Sequence, residues 1–198
     1  MLNSIAIFCG SSLGNEACFT AVAAETGRLI AERGQTLVYG GGRSGLMGVV
    51  ADSALQAGGR VVGVMPHLLV DQELAHPDLT EMHIVDNMQE RKLKMSELAD
   101  GFIALPGGAG TLEEIFEQWT WLQLGIHQKP CGFLNVSDFY TDLIRFLQRT
   151  AHSGFTYERF TDKLVVEQDI AVLLQAFDEY VAPVSKWQVS KAIVEEKK

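Results

Sequence analysis

The sequence is short of cysteine and of positive charge, and it holds no long apolar run. Each absence removes a class of protein. Only three cysteines occur, Cys9, Cys18 and Cys131. They are odd in number, far apart and in no metal-binding or redox spacing. The expectation is reduced thiols in the cytoplasm rather than a disulfide framework. Lys and Arg total 16 against 25 Asp and Glu, a formal net charge of -9. An acidic surface repels phosphate backbones, which discounts DNA, RNA and anionic membranes as partners. A small anion remains within reach of local backbone dipoles. No stretch is apolar for the ~20 residues that a membrane helix needs. No basic region precedes the first apolar run, "MLNSIAIFCGSS", which argues against a signal peptide. The histidines, His67, His76, His83, His127 and His152, show no ligand spacing, so no metal is expected.

What is present is a regular alternation. The runs 4–10, 36–41, 60–66, 81–86, 101–108, 131–136 and 163–168 are short, rich in β-branched and aromatic residues, and bounded by Gly or Pro. Several are apolar throughout, which suits parallel strands covered on both faces. Amphipathic stretches at about 15–33, 46–58, 88–99, 111–124, 137–150 and 169–180 read as helices. Strand then helix, repeated, predicts an α/β fold: one Rossmann-like, doubly wound parallel sheet with helices on both faces. With 198 residues and no repeat, linker or low-complexity segment, one domain is expected over 1–182. A tail follows over 183–198, with Trp187 a costly residue to leave in water.

Such sheets bind ligands at the carboxyl ends of their strands. Three of those ends are rich in Gly or Ser: "CGSSLG" (9–14), "YGGGRSG" (39–45) and "PGGAGT" (106–111). Together they suggest one cleft where backbone must approach a ligand closely. The second contains G-x-G-x-x-G, as Gly40, Gly42 and Gly45, but the next strand ends in Met65 and Pro66 without the acid a dinucleotide site requires. A P-loop reading fails because Leu46 and Leu112, not Lys, follow the glycines. The third turn ends a buried strand and opens a helix, whose first N–H groups and dipole favour an anion. Gly107 to Thr111 therefore reads as a phosphate seat. A plainer reading stands beside it. "TLEE" fits a capping box, with Thr111 as N-cap and Glu114 as its partner. On those residues alone capping is simpler; the glycines tip the balance, because a cap does not need them. Upstream, Arg91 and Lys92 lie on a helix that leads into the same strand. From its first half a planar Arg fork can reach the cleft.

These segments carry a family resemblance. "PGGAGTLEE" resembles the PGGxGTxxE signature of the LONELY GUY (LOG) family, the cytokinin riboside 5'-monophosphate phosphoribohydrolases, and "QERK" resembles its second motif. "CGSS", "YGGGRSGLMG" and "WLQLGIHQKPCGFLNV" are similar too, so the likeness covers about residues 4–180. Proteins of this group have also carried the label lysine decarboxylase, but no lysine here sits in a recognisable pyridoxal phosphate setting.

The resemblance implies hydrolysis of the N-glycosidic bond of a nucleoside 5'-monophosphate, either a cytokinin riboside monophosphate or AMP, to free base and ribose 5-phosphate. It implies Arg91 and Glu114 as the catalytic pair. Substrate contacts would come from Glu73, Lys92, the run Gly108, Ala109, Gly110, Thr111, Leu112 and Glu113, and Thr120, with Gly107 in the phosphate turn. No cofactor is implied. The chemistry is coherent. Breaking a ribosyl bond builds oxocarbenium-like charge, which a carboxylate can stabilise while it activates water. Arg91 and the helix N-terminus would favour the ionised Glu114. The runner-up is a nucleotide-binding module without catalysis. The helix "EEIFEQWTWLQLG" (113–125) is apolar nearly all round, through Ile115, Phe116, Trp119, Trp121, Leu122 and Leu124. Such a face predicts a homodimer, which the shorter members of the family also form.

Overall fold

The computed structural model describes residues 1–70 and 75–188. Seven strands form one sheet: β1 (Ser4–Phe8), β2 (Thr36–Tyr39), β3 (Val61–Pro66), β4 (Glu81–Val85), β5 (Gly101–Ala104), β6 (Cys131–Leu134) and β7 (Val165–Glu167). Every pairing is parallel and the order is β4-β3-β2-β1-β5-β6-β7. Strand order therefore reverses between β1 and β5, where Rossmann-like sheets take their ligands.

Side-chain alternation divides the core in two. Ile5 and Ile7 of β1, Leu37 and Tyr39 of β2 and Ile103 of β5 join one apolar cluster. Ala6, Phe8, Val38, Phe102 and Ala104 join the other. The period of two sends successive residues to opposite faces, so central strands must be apolar throughout. Helices α1 (Ala17–Glu32), α2 (Gly45–Gln56) and α8 (Ile170–Asp178) supply the first cluster. Helices α4 (Met88–Leu98), α5 (Ala109–Leu124) and α6 (Thr141–His152) supply the second. The doubly wound sheet expected from the alternation is the observed architecture. Two short helices, α3 (His67–Val70) and α7 (Glu158–Thr161), were not foreseen.

Three expectations need adjustment. The helix expected from 137 starts at Thr141 instead, because Ser137 and Asp138 take positive φ angles (49° and 58°) that no helix accommodates. Helix α5 is only partly free to face a partner. Ile115, Trp119 and Leu122 are buried in the chain's own core, and the Trp119 indole N–H donates to the Phe160 carbonyl at 3.3 Å. Past Pro183 the chain stays docked for a few residues. Ser185 is buried and Arg159 Nε donates to the Val184 carbonyl at 3.0 Å, while Trp187 is 60% exposed.

Candidate active site

The glycine turns converge at the reversal of strand order. After β1, the Gly10 N–H donates to the Pro106 carbonyl at 3.0 Å, joining the first turn to the third. The Leu46 N–H, at the start of α2, donates to the Gly10 carbonyl at 3.1 Å and brings in the second. A cleft of about 330 Å³ opens there, lined by Gly10, Ser11 and Ser12 on one wall and Pro106, Gly107 and Gly108 on another.

The third turn is built to leave backbone bare. Helix α5 begins at Ala109, with Gly108 as an extended N-cap that has no side chain to bond the helix. The first intrahelical bond is Leu112 N–H to the Gly108 carbonyl, so the N–H groups of Ala109, Gly110 and Thr111 have no partner within the helix. Gly108, Ala109 and Gly110 are exposed. A Cβ on Gly107 would come within 2.1 Å of Thr111 Oγ1, so only glycine lets the turn fold over that side chain. The capping reading is overturned. Thr111 is the third helical residue and buried, and Glu114 lies inside the helix with its carboxylate elsewhere. The helix simply starts earlier than a Thr cap would place it. Leu112 packs against the second core cluster and Glu113 is exposed.

The Glu114 carboxylate meets Arg91. Helix α4 is fixed by Asn87, whose side chain accepts from the Glu90 N–H at 2.9 Å, a true N-cap. One residue on, Arg91 Nη1 donates to Glu114 Oε1 at 2.7 Å and Nε donates to the Val64 carbonyl of β3 at 3.1 Å. Arg91 and Glu114 are only 8% and 9% exposed. Arg91 explains the second glycine turn as well. A Cβ on Gly40 would lie 1.9 Å from Arg91 Nη2. Gly40 thus makes room for the protein's own guanidinium, not for a ligand as its sequence context suggested. Burial raises the Glu114 carboxyl above its ordinary value, and Arg91 opposes the rise without cancelling it. Arg91 favours the ionised carboxylate as expected; desolvation, which the sequence does not reveal, is the larger effect. Beneath the pair, burial and the Glu114 charge push the Cys9 thiol up, which keeps it inert.

Beside this pair sits a second one. Lys92 Nζ bonds Glu113 and, at 3.1 Å, Glu117. Burial acts to lower its ammonium pKa, but the two carboxylates outweigh it and the net shift is upward. Glu117 was not among the residues read as functional. Its signal was there in the spacing, since it follows Glu113 by one helical turn. Thr120 lies on the same face of α5 and is exposed. Glu73 falls outside the described residues. Among those described, no group of three or more His, Cys, Asp or Glu is placed to hold a metal, and no helix is long and apolar enough to cross a membrane.

Fold and cleft together define the class, a Rossmann-like α/β protein whose candidate ligand site lies at the strand-order reversal. Similarity narrows it further. The family model described as "Possible lysine decarboxylase" matches residues 47–177. A cytokinin riboside 5'-monophosphate phosphoribohydrolase from Rhodococcoides fascians is 45% identical over 168 residues, 84% of this chain and 85% of that protein. The cytokinin riboside 5'-monophosphate phosphoribohydrolase LOG of Oryza sativa subsp. japonica is 42% identical over 177 residues, 89% of this chain and 73% of that one. The chain belongs to this LONELY GUY family. Among solved structures, the molybdenum cofactor binding protein from Rippkaea orientalis superposes with a TM-score of 0.69 at 18% identity, covering 90% of this chain and 97% of its own. At that identity the likeness shows the fold alone.

Proposed function

We propose that this protein hydrolyses the N-glycosidic bond of nucleoside 5'-monophosphates, cytokinin riboside 5'-monophosphates or AMP, to free base and ribose 5-phosphate. The observation that carries the reading is the buried Arg91–Glu114 pair at 2.7 Å, with Glu114 on the helix that the open glycine turn begins and Arg91 reaching it from α4. The 5'-phosphate sits on the bare N–H groups of Gly108 to Thr111, where the helix dipole favours it. That holds the ribose over Glu114, one helical turn further on. Water adds to C1', the bond from C1' to the base nitrogen breaks, and the proton that Glu114 takes from the water returns through solvent to the departing base, which regenerates the carboxylate. The ionised Glu114 stabilises the positive sugar and takes the proton from water. Arg91 orients that carboxylate and opposes its neutralisation. Glu73, Lys92, Gly107, Leu112, Glu113 and Thr120 complete the substrate contacts in this reading. The lysine decarboxylase description finds no support in Lys92, the lysine nearest the pair. Two carboxylates keep it protonated, and a protonated amine cannot form a Schiff base.

The decisive experiment offers the protein AMP, a cytokinin riboside monophosphate and adenosine, and measures released base by chromatography. Both monophosphates are cleaved and adenosine is not, since the lost phosphate removes positioning energy supplied by a non-reacting group. Equal turnover of AMP and adenosine would remove the phosphate seat. Tight binding of the monophosphates with no base released would leave a binding module.

The homodimer belongs to this reading. Phe116, Trp121 and Leu124 of α5 stay half-buried and Leu93 of α4 is exposed, apolar side chains that a second copy would cover. Light scattering at micromolar concentration gives twice the chain mass; a monomer there would overturn it. The free cysteines support a cytoplasmic location.

A further inference from the structure

His76 has no part in the reaction as proposed, yet every polar atom of its ring is used. Its side chain is fully buried, and Nε2 lies 3.0 Å from Asp52 Oδ1 on α2. Nδ1 accepts from the Asp78 N–H at 3.2 Å. An acceptor at Nδ1 puts the ring proton on Nε2, which donates to Asp52. The backbone on either side is tied to the second glycine turn. The His76 N–H donates to the Gly41 carbonyl at 2.9 Å, and Ala75 pairs antiparallel with Gly42. The residue before Gly41 is Gly40, which lies directly against the Arg91 guanidinium.

We infer that His76 is a positioning residue for the proposed hydrolysis: its ring, anchored on Asp52, clamps the Gly40–Gly42 turn and so fixes the wall that aims Arg91 at Glu114. The argument is mechanical. Gly40 has no side chain, and a glycine turn alone is conformationally free. Arg91 is held from three directions, by the Val64 carbonyl, by Glu114 and by this wall. Two of those contacts belong to regular elements. The third is rigid only if something outside the turn holds it, and the buried imidazole does so through a carboxylate on another helix. Displacing a catalytic group by about 1 Å through a remote change costs on the order of 10²-fold in rate. A wall that loosens without moving outright should cost less.

The inference rests on the proposed function, so its test carries one arm that needs no turnover. Asp52 is 48% exposed, which makes Asp52→Ala a mild change for the fold. Expected is a several-fold fall in kcat with little change in KM, because Arg91 loosens while the phosphate turn is untouched. Asp52→Asn still offers an oxygen to Nε2–H and restores kcat. His76→Ala falls further, about tenfold, and Asp52→Ala adds nothing on top of it. The acid limb of the kcat/KM profile also moves to higher pH in Asp52→Ala and not in Asp52→Asn. The charges facing Glu114 are Arg91 and Lys92 from α4 and Glu113 on its own helix, with the neutral Cys9 thiol from the turn after β1. Of these only Arg91 leans on the clamped wall. The independent arm is amide hydrogen exchange. Residues 40–43 and 75–78 lose protection in Asp52→Ala while β1 keeps its own. Unchanged exchange at 40–43, or a kcat as low in Asp52→Asn as in Asp52→Ala, would overturn the clamp. An inactive wild type would overturn the hydrolase reading instead, and the exchange arm would still decide for or against the clamp.

Discussion

Two glycine turns look alike in the sequence and differ in what fills them. "YGGGRSG" and "PGGAGT" both follow a buried strand and both open a helix. At Gly40 the space of a missing Cβ is taken by Arg91, 1.9 Å away. At Gly108 and Gly110 nothing lies within 4 Å, and both are exposed. Glycine marks a place where a side chain would be in the way. It does not say whether the obstruction would be to the protein itself or to a ligand. Here the first turn shelters Arg91 and the second faces open space at a helix N-terminus.

The comparison can be broken or sharpened by substitution. The largest effect is expected at the residue that joins the two turns. Glu114→Gln loses the charge that stabilises the sugar cation and the base that takes a proton from water, so kcat falls by about 10²–10⁴-fold. Gln keeps an oxygen for Arg91, so circular dichroism should report a folded protein, with a Tm close to wild type because burial already disfavours the charged carboxylate in the folded state. Turnover close to wild type would remove Glu114 from the mechanism.

The next effect separates the turns. Gly40→Ala pushes a methyl into the Arg91 guanidinium, which should lower kcat by about 10²-fold and reduce Tm. Gly108→Ala meets no atom, and its extended backbone (φ -97°) accepts alanine. Its stability should stay within about 0.5 kcal/mol of wild type, as for other surface changes. Its KM for the monophosphate should rise, because the methyl stands over the bare N–H groups. Equal kinetic losses without loss of Tm in both variants would mean that both turns face the ligand.

The smallest expected effect is a displacement in pH. Burial holds the Glu114 carboxyl above its ordinary value in the folded protein. The reaction needs the ionised form, so activity falls as pH drops through that raised value, and the acid limb of kcat/KM lies above the usual carboxylate range. For stability the sign is opposite. The folded state holds this proton where the unfolded chain has released it, so Glu114's contribution to stability declines as pH rises through that window. A limb at the ordinary carboxylate value would mean that Arg91 dominates after all.

Much of the molecule was legible before it was folded. All seven strands fall inside the expected runs; the central ones must satisfy two cores at once and are apolar throughout, while the half-buried edge strands β4 and β7 still keep Glu81, His83 and Glu167. Arg91 and Glu114 were marked by motif, and the fold brings their charges to 2.7 Å. Other readings failed for local reasons. Thr111 looked like a cap because its residue type suits one, yet Gly108 ends the turn first. Glu117 was not read as functional, although it bonds a buried lysine. His76 looked like any surface or core histidine, and nothing near it in sequence announces Asp52, 24 residues earlier.

The sequence by itself determined the layers: which segments are strands, which are helices, and that a parallel sheet is covered on both faces. Those follow from periodicity and burial, which act over a few residues at a time. Only the tertiary structure decided that Gly40 shelters Arg91, that the first and third turns line one cleft, and that desolvation outweighs Arg91 at Glu114. Each of these depends on atoms brought together from distant parts of the chain. Their distances, and how much water they exclude, do not exist until the sheet has set the order of its strands.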